Sequence, residues 1–545
     1  MNTADTSFGE IEGKVLKAKV KGHLLSYCIR IPALQDVQLD NMLLKLSYDT
    51  KREKDQQILH YPLTMVRKSK KHWVLESLVD LEQIPWKPLN WKFVLEISKV
   101  DCIIEIPLKN RSYLNYAKYC SLFFDNSYDF GDGMFVYPYV NGARDIALQY
   151  RERGQYDDWH IKMIERLAVV RLIFSYLVLR KMNIWLVFEK YSQMAQDNGY
   201  YFFKYCMEND VEEKYHCHIF YVIEADSPDR SNLLEYEDHV IDFMSIRHVT
   251  YALAAKLLIS TDAKAHVYPW RRKGSALVPF IKRKPLVFLQ HGVTAMKKVD
   301  FFYGKGKGGS CDMFIVTSEF EQQIVYDHFG YEKNRIPITG FARWDVLEDK
   351  SDNCRDILIM PTWRSWLEDF TSEEFRESEY FKRYYELLCN PKFYETLSEQ
   401  NICVKFYLHP KFKDYIQEFL VESDRVQVIA FGQQPLNELM MKCRMLITDY
   451  SSVSWDMFYQ KKPVLFYQFD REDYLEAHGS YLDMEKELFG YNSTDLDDLL
   501  VRLKEYAQNN FSLTDMQKQQ YEMYFPYVDD KNSQRICEAI KREFL

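Results

Sequence analysis

The chain has no long apolar run. Its longest strongly apolar stretch, Leu167 to Leu179, is about 13 residues and is broken by Arg171, whereas a spanning helix needs roughly 20. The opening MNTADTSFGEIEGK carries no apolar segment, so no signal peptide is expected. The eleven cysteines are scattered, with no C-x-x-C and no zinc spacing. That excludes a disulfide framework and fits reduced core thiols of a cytosolic protein. Glycine (19) and proline (17) are sparse for 545 residues, and 47% of the chain is hydrophobic, which excludes disordered and fibrous classes. Positive charge is not in excess: 71 Lys and Arg against 80 Asp and Glu give −9, a poor balance for a general duplex binder, so no nucleic-acid partner is expected. No repeat of 20–50 residues and no low-complexity tract is present.

Aromatics are abundant, at 16% with 40 Tyr and 35 Phe. They fill cores, stack on a base or meet a membrane interface. The length exceeds one core and suits two or three domains. Residues 1–110 are short runs rich in Val, Ile, Leu and aromatics (VLKAKVKG, YCIRIPAL, HWVLESLVDL, WKFVLEIS), spaced as in a β-sandwich, and read as an accessory all-β domain. Residues 111–183 read as a linker ending in a basic amphipathic helix, Trp159 to Met182. Ile161, Ile164, Leu167, Val170, Phe174 and Leu177 recur there at helical spacing among Lys162, Arg166, Arg171, Arg180 and Lys181. Such a helix packs into a core or lies in a bilayer interface. Short β-runs then alternate with helical stretches: IWLVFE, HIFYVIE, VIDFM, AHVYP, PLVFLQHG, DMFIVTS and IPITG. After a polar break at EDKSDNCR come DILIMPTW, CVKFYLHP, VQVIAF, RMLITDYSS and PVLFYQFD. This is α/β patterning, read as two Rossmann-like domains, 184–347 and 348–545.

In open parallel sheets, ligands sit beyond the carboxyl ends of the strands. Those ends deliver His291-Gly292, Arg343, Pro361-Thr362-Trp363-Arg364, His409-Pro410 and Asp449-Tyr450-Ser451-Ser452. A histidine there serves as a general base near neutral pH. The serines precede a helix start, where hydroxyls and free N–H groups cap the helix and accept phosphate. Asp456 lies about one turn into that helix and suits its dipole or a ligand hydroxyl. GKGKGGS does not match the Walker A spacing. His216-Cys217-His218 reads as strand with no further metal ligands near it, and no metal site is expected. Arg271, Arg272, Lys273, Lys282, Arg283 and Lys284 form a basic run that is a solvated face or a dock for an anionic polymer or lipid headgroup.

The motifs LQHGVTAMK, TGFARWD, IMPTWR, FYLHP and LITDYSSVSWDMFYQKKPVLFY, in that order, resemble the CDP-glycerol glycerophosphotransferase family of teichoic acid synthesis over roughly residues 184–530. The resemblance implies a GT-B fold, two Rossmann-like domains facing across a cleft. It implies a catalytic base at His291 and a second essential histidine at His409. Donor contacts are implied at Gly292, Val293, Thr294, Ala295, Arg343, Pro361, Thr362, Tyr407, Leu408, Ser451, Ser452 and Asp456. The chain reads FARWD where a Pro-Arg pair is more usual. The implied reaction takes glycerol phosphate from CDP-glycerol to a hydroxyl of a lipid-linked acceptor and releases CMP. CDP-ribitol and a sugar-nucleotide donor are the alternatives. No cofactor is implied beyond a magnesium ion that can accompany the donor diphosphate. The lipid-linked acceptor implies a peripheral protein on the cytoplasmic face of the cell membrane.

Overall fold

Alternation of apolar and polar residues dictates the N-terminal strands. Leu24–Pro32 and Met42–Tyr48 bury every second side chain, as a strand with one face on a core must, and Gly13–Lys21 does so on either side of a register shift between Val15 and Lys17. The computed structural model describes residues 11–34, 37–48, 57–99, 102–110, 126–141, 144–269, 277–352, 354–368, 370–430 and 432–545. They fall into two units. One comprises the chain to Leu179 with Met244–Ala254 and Tyr268–Lys284; the other comprises Arg180–Phe243, Ala255–Val267 and Pro285–Leu545.

In the first unit, eleven strands join in one sheet: nine follow a single hydrogen-bonded path, and Met42–Tyr48 and Ile58–Pro62 branch from it at Leu89–Ser98. Adjacent strands run antiparallel except where Gly13–Lys21 meets Ile103–Lys109. Their inward faces share one apolar core that includes Tyr27, Trp91, Phe93 and Leu148. The strands continue past the expected boundary at 110. Ile146–Glu152 pairs with both Leu89–Ser98 and Met134–Val140, so part of the expected linker belongs to the sheet. The helix Trp159–Lys181 forms as its periodicity predicts, but it buries only Ile161, Glu165, Ala168 and Leu179. The expected apolar stripe turns outward after its first turn: Ile161 is buried and Ile164 half-buried, but Leu167, Val170, Phe174 and Leu177 are exposed. The helix Ile246–Ala254 belongs to this unit, and Thr250 Oγ1 reaches the Ala168 carbonyl at 3.4 Å. Of the basic run, Arg271, Arg272 and Lys273 lie outside the described residues, while Lys282 and Arg283 are exposed.

The second unit holds two six-stranded sheets in which every strand pair is parallel. The first contains Ile184–Phe188, His218–Ile223, Val240–Asp242, Leu257–Ser260, Leu286–Phe288 and Met313–Phe314. The second contains Ile357–Met360, Val404–Tyr407, Val426–Ile429, Met445–Thr448, Val464–Tyr467 and Tyr491–Ser493. Numbered along the chain, the strands of each sheet lie in the order 3-2-1-4-5-6. Connections leave strands 1 and 4 in opposite directions, which opens a crevice at their carboxyl ends. The α/β class matches the expectation. Two details differ. AHVYP covers a short 3-10 turn, Lys264–Val267, and the strand is the preceding LLIS. His216 ends a helix in a left-handed conformation (φ 50°), so it does not share a strand face with His218. The last helix, Asn532–Phe544, returns to the first sheet, where Ile536, Cys537, Ala539 and Ile540 join its core.

Candidate functional site

His291 sits on a turn beyond the strand Leu286–Phe288. Gln290, immediately before it, has φ 58°, a left-handed conformation that non-glycine residues seldom adopt. Buried hydrogen bonds hold it there. Gln290 Nε2 donates to the Ile315 carbonyl at 2.6 Å and to Glu321 Oε1 at 2.9 Å, and its Oε1 accepts from Thr294 Oγ1 at 2.6 Å. The Thr294 N–H also donates to Glu321 Oε1, at 2.7 Å. His291 is thereby turned out to solvent, with its ring nearly perpendicular to that of Phe288 and the two centroids 6.5 Å apart. Val293, Thr294 and Ala295 are buried and shape the turn rather than presenting side chains. Gly292 is different: a Cβ there would stand 2.3 Å from Ser452 Oγ, so the close approach itself requires glycine.

Two carboxylates neighbour His291 electrostatically. Burial raises the Asp197 pKa, against the charges of Arg343 and His291. Burial also opposes ionisation of Asp262, yet a hydrogen bond from His266 and the charge of His291 hold it down to about 2.

The second sheet supplies the facing turn. Asp449, fully buried, accepts the Thr362 N–H at 2.9 Å and the Tyr450 N–H at 2.7 Å. Arg364, also fully buried, bridges Asp449 at 2.8 Å and Asp470 at 2.6 Å and donates to the Thr362 carbonyl at 2.6 Å. This one guanidinium therefore joins the ends of strands 1, 4 and 5. Ser451 Oγ accepts the Val453 N–H at 3.3 Å. Ser452 precedes the helix Val453–Tyr459 but makes no capping bond with its side chain, which instead meets Gly292. Pro361 is buried, and the buried Oγ1 of half-buried Thr362 has no hydrogen-bond partner among the described residues.

Four predicted residues take other places. Tyr407 and Leu408 are core residues of the strand and its end, while His409 emerges from the motif. Arg343 and Asp456 face each other. Arg343 Nε and Nη2 each donate to Asp456 at 2.9 Å, Nη1 donates to Asp197 at 2.9 Å, and Trp344 Nε1 adds a bond to Asp456 at 2.7 Å. Their charged groups tie the two sheets together instead of standing free for a ligand. Burial, with Lys190 and Lys411 nearby, pushes the His409 pKa down to about 4. Its Nδ1 accepts the Lys411 N–H at 3.2 Å, so the neutral ring carries its proton on Nε2. Among the described residues no group of three His, Cys, Asp or Glu is placed to hold a metal ion.

The arrangement offers an exposed imidazole and serine hydroxyls on two turns that meet at Gly292 and Ser452, with the neutral His409 ring at another strand end of the second sheet, a set of groups that suits transfer of a phosphorylated group. The family model for CDP-glycerol:poly(glycerophosphate) glycerophosphotransferase matches residues 171–542. The chain belongs to this family.

Among relatives of this glycerophosphotransferase family member, the minor teichoic acid biosynthesis protein GgaB of Bacillus subtilis is 28% identical over 391 residues, 69% of this chain and 42% of that protein. The teichoic acid ribitol-phosphate polymerase TarK of Staphylococcus aureus is 25% identical, covering 49% of this chain and 54% of that protein. A teichoic acid glycerol-phosphate transferase of Staphylococcus aureus is 25% identical, covering 42% of this chain and 60% of that protein. The chain thus spans about half the length of these curated relatives. Among solved structures, the wall teichoic acid polymerase TagF aligns over 70% of this chain and 98% of that one, at 16% identity and a TM-score of 0.48.

Sequence reasoning missed Asp197, Glu321 and Asp470. Glu321 had a signal, the S-x-x-E of Ser318 to Glu321, but that pattern announces a capping box. Ser318 Oγ does accept the Glu321 N–H at 3.2 Å; the Glu321 side chain instead turns inward, to Thr317 and the His291 turn.

Proposed function

We propose that the chain transfers glycerol phosphate from CDP-glycerol to a terminal hydroxyl of a lipid-linked, teichoic-acid-type acceptor and releases CMP. The two parallel sheets act as a GT-B-like pair of Rossmann-like domains, the first on the acceptor side and the second holding the CDP-polyol. The observation that carries this reading is the approach of Gly292 to Ser452, which sets the His291 turn against the serine turn. The acceptor oxygen attacks the phosphorus bearing the polyol. The bond from that phosphorus to the CMP oxygen breaks, and its electron pair leaves with CMP. His291 takes the proton of the attacking hydroxyl. His409 donates from Nε2 to a phosphate oxygen, and the Ser451 and Ser452 hydroxyls hold the phosphates as charge redistributes. Arg343 and Asp456 keep the sheets in register.

The test is CMP release from CDP-glycerol with a lipid-linked acceptor, run beside CDP-ribitol. Release that depends on both substrates supports the reading, and release from neither donor contradicts it. Ribitol transfer is the second reading, because a relative is named a ribitol-phosphate polymerase.

The acceptor's lipid calls for a bilayer surface, the cytoplasmic face in this reading. Among the described residues no helix is long and apolar enough to cross a membrane. The helix Trp159–Lys181 instead offers an apolar face with Ile173 68%, Phe174 86% and Leu177 74% exposed, interleaved with exposed Arg171. Wild type is expected to sediment with anionic vesicles and to release partly at high salt. A Phe174→Ser, Leu177→Ser variant is expected to remain in the supernatant. Equal sedimentation of the two would contradict this docking face.

A further inference from the structure

Glu321 is a fully buried carboxylate on the helix Glu319–Phe329, with no ion-pair partner among the described residues. Burying a charge without a counter-charge is unfavourable, and burial raises the Glu321 pKa even though its hydrogen bonds oppose the rise. Its four partners are all donors. Oε1 accepts the Thr294 N–H at 2.7 Å and Gln290 Nε2 at 2.9 Å; Oε2 accepts the Thr317 N–H at 2.7 Å and Thr317 Oγ1 at 2.9 Å. Only a carboxylate satisfies this set, because a glutamine amide would aim its NH2 at one pair of donors. Two of the four donors flank His291 in sequence, at positions 290 and 294. The residue between Gln290 and Gly292 is thus held from both sides by a single side chain, with Gln290 kept at φ 58°.

We infer that Glu321 is a positioning residue for transfer: it clamps the 290–294 turn in the geometry that presents His291 to the acceptor hydroxyl. The inference rests on reading His291 as the general base. It assigns no contact between Glu321 and substrate. A misplacement on the order of 1 Å at a reacting group costs about 10²-fold in rate.

The experiment compares wild type with Glu321→Gln and Thr317→Val. It reads kcat, the donor KM, the unfolding midpoint and the ring resonances of His291 and His409 in 13C-histidine-labelled protein. Glu321→Gln is expected to lower kcat about 10²-fold, to leave the donor KM unchanged, and to move the His291 resonance while His409 stays in place. Thr317→Val removes one donor of four and is expected to show the same pattern with a smaller loss. If Glu321→Gln does not fold, Thr317→Val carries the test. Wild-type kcat with an unmoved His291 resonance overturns the proposal. So does a loss of kcat accompanied by weaker donor binding and movement of both histidines, which marks general loosening. His291→Ala is measured in parallel: if it turns over like wild type, the reading of His291 as base fails, whatever Glu321 does.

Discussion

The two turns that meet at Gly292 and Ser452 rise from sheets of the same strand order, yet each is anchored by opposite chemistry. Beneath the His291 turn lies one carboxylate, Glu321, surrounded by neutral donors. Beneath the Asp449–Ser452 turn lies one guanidinium, Arg364, between two carboxylates. The first anchor is a hydrogen-bond clamp on a strained backbone. The second is a buried ion network that joins three strand ends, with its guanidinium over the Tyr450 ring at 4.8 Å and the Tyr380 ring at 5.0 Å. The lesson is that one topology fixes where a turn is delivered, while the buried group beneath it decides what kind of damage a substitution does.

The comparison breaks most visibly at Arg364. Arg364→Leu leaves Asp449 and Asp470 buried without their cation, and breaking a buried pair in this way costs about 3–5 kcal/mol. The expected outcome is a large fall in the urea midpoint, whereas Glu321→Gln, which keeps size and shape, shifts it far less. Equal shifts would mean that the two anchors do the same work.

Gly292 probes the contact between the turns. Gly292→Ala drives a Cβ toward Ser452 Oγ, and overpacking of this kind costs about 1–3 kcal/mol. Activity is expected to fall, and adding Ser452→Gly is expected to restore part of it. A double-mutant cycle measures that coupling, and additivity would mean the two turns are independent.

A third test is the pH dependence of stability. The His409 pKa, about 4 in the folded chain, lies below the ordinary histidine value of roughly 6.5. Between those values the unfolded chain binds the extra proton, so stability is present above about 6.5 and is lost as pH falls toward 4. His478 behaves alike, pushed down to about 4 by burial, Lys297 and Arg364. His409→Gln should flatten part of the acid limb of a midpoint-versus-pH curve; an unchanged limb would mean that His409 titrates normally.

Much of this site is legible in the sequence because strand ends are. Apolar runs such as PLVFLQ and RMLIT announce strands, and a parallel sheet presents the residues just beyond them: His291, Thr362, His409 and Ser451 are found there. A place at a strand end does not reveal where the side chain goes. Arg343 and Asp456, 113 positions apart, read as ligand contacts, and only the fold shows them bonded to each other. Tyr407 and Leu408 share a motif with His409, but a parallel sheet is covered on both faces, so both are buried. AHVYP has strand composition, yet the short LLIS run before it takes the place in the sheet. The outward apolar face of Trp159–Lys181 has the same periodicity as a buried one, so periodicity alone does not tell core from surface.

The central claim is that this chain moves a polyol phosphate with His291 as base. Its most direct test is CMP release from CDP-glycerol with a lipid-linked acceptor, comparing wild type with His291→Ala at matched folding. The account predicts acceptor-dependent release by wild type and a loss of about 10²–10⁴-fold in the variant. Wild-type release rates in His291→Ala would contradict it.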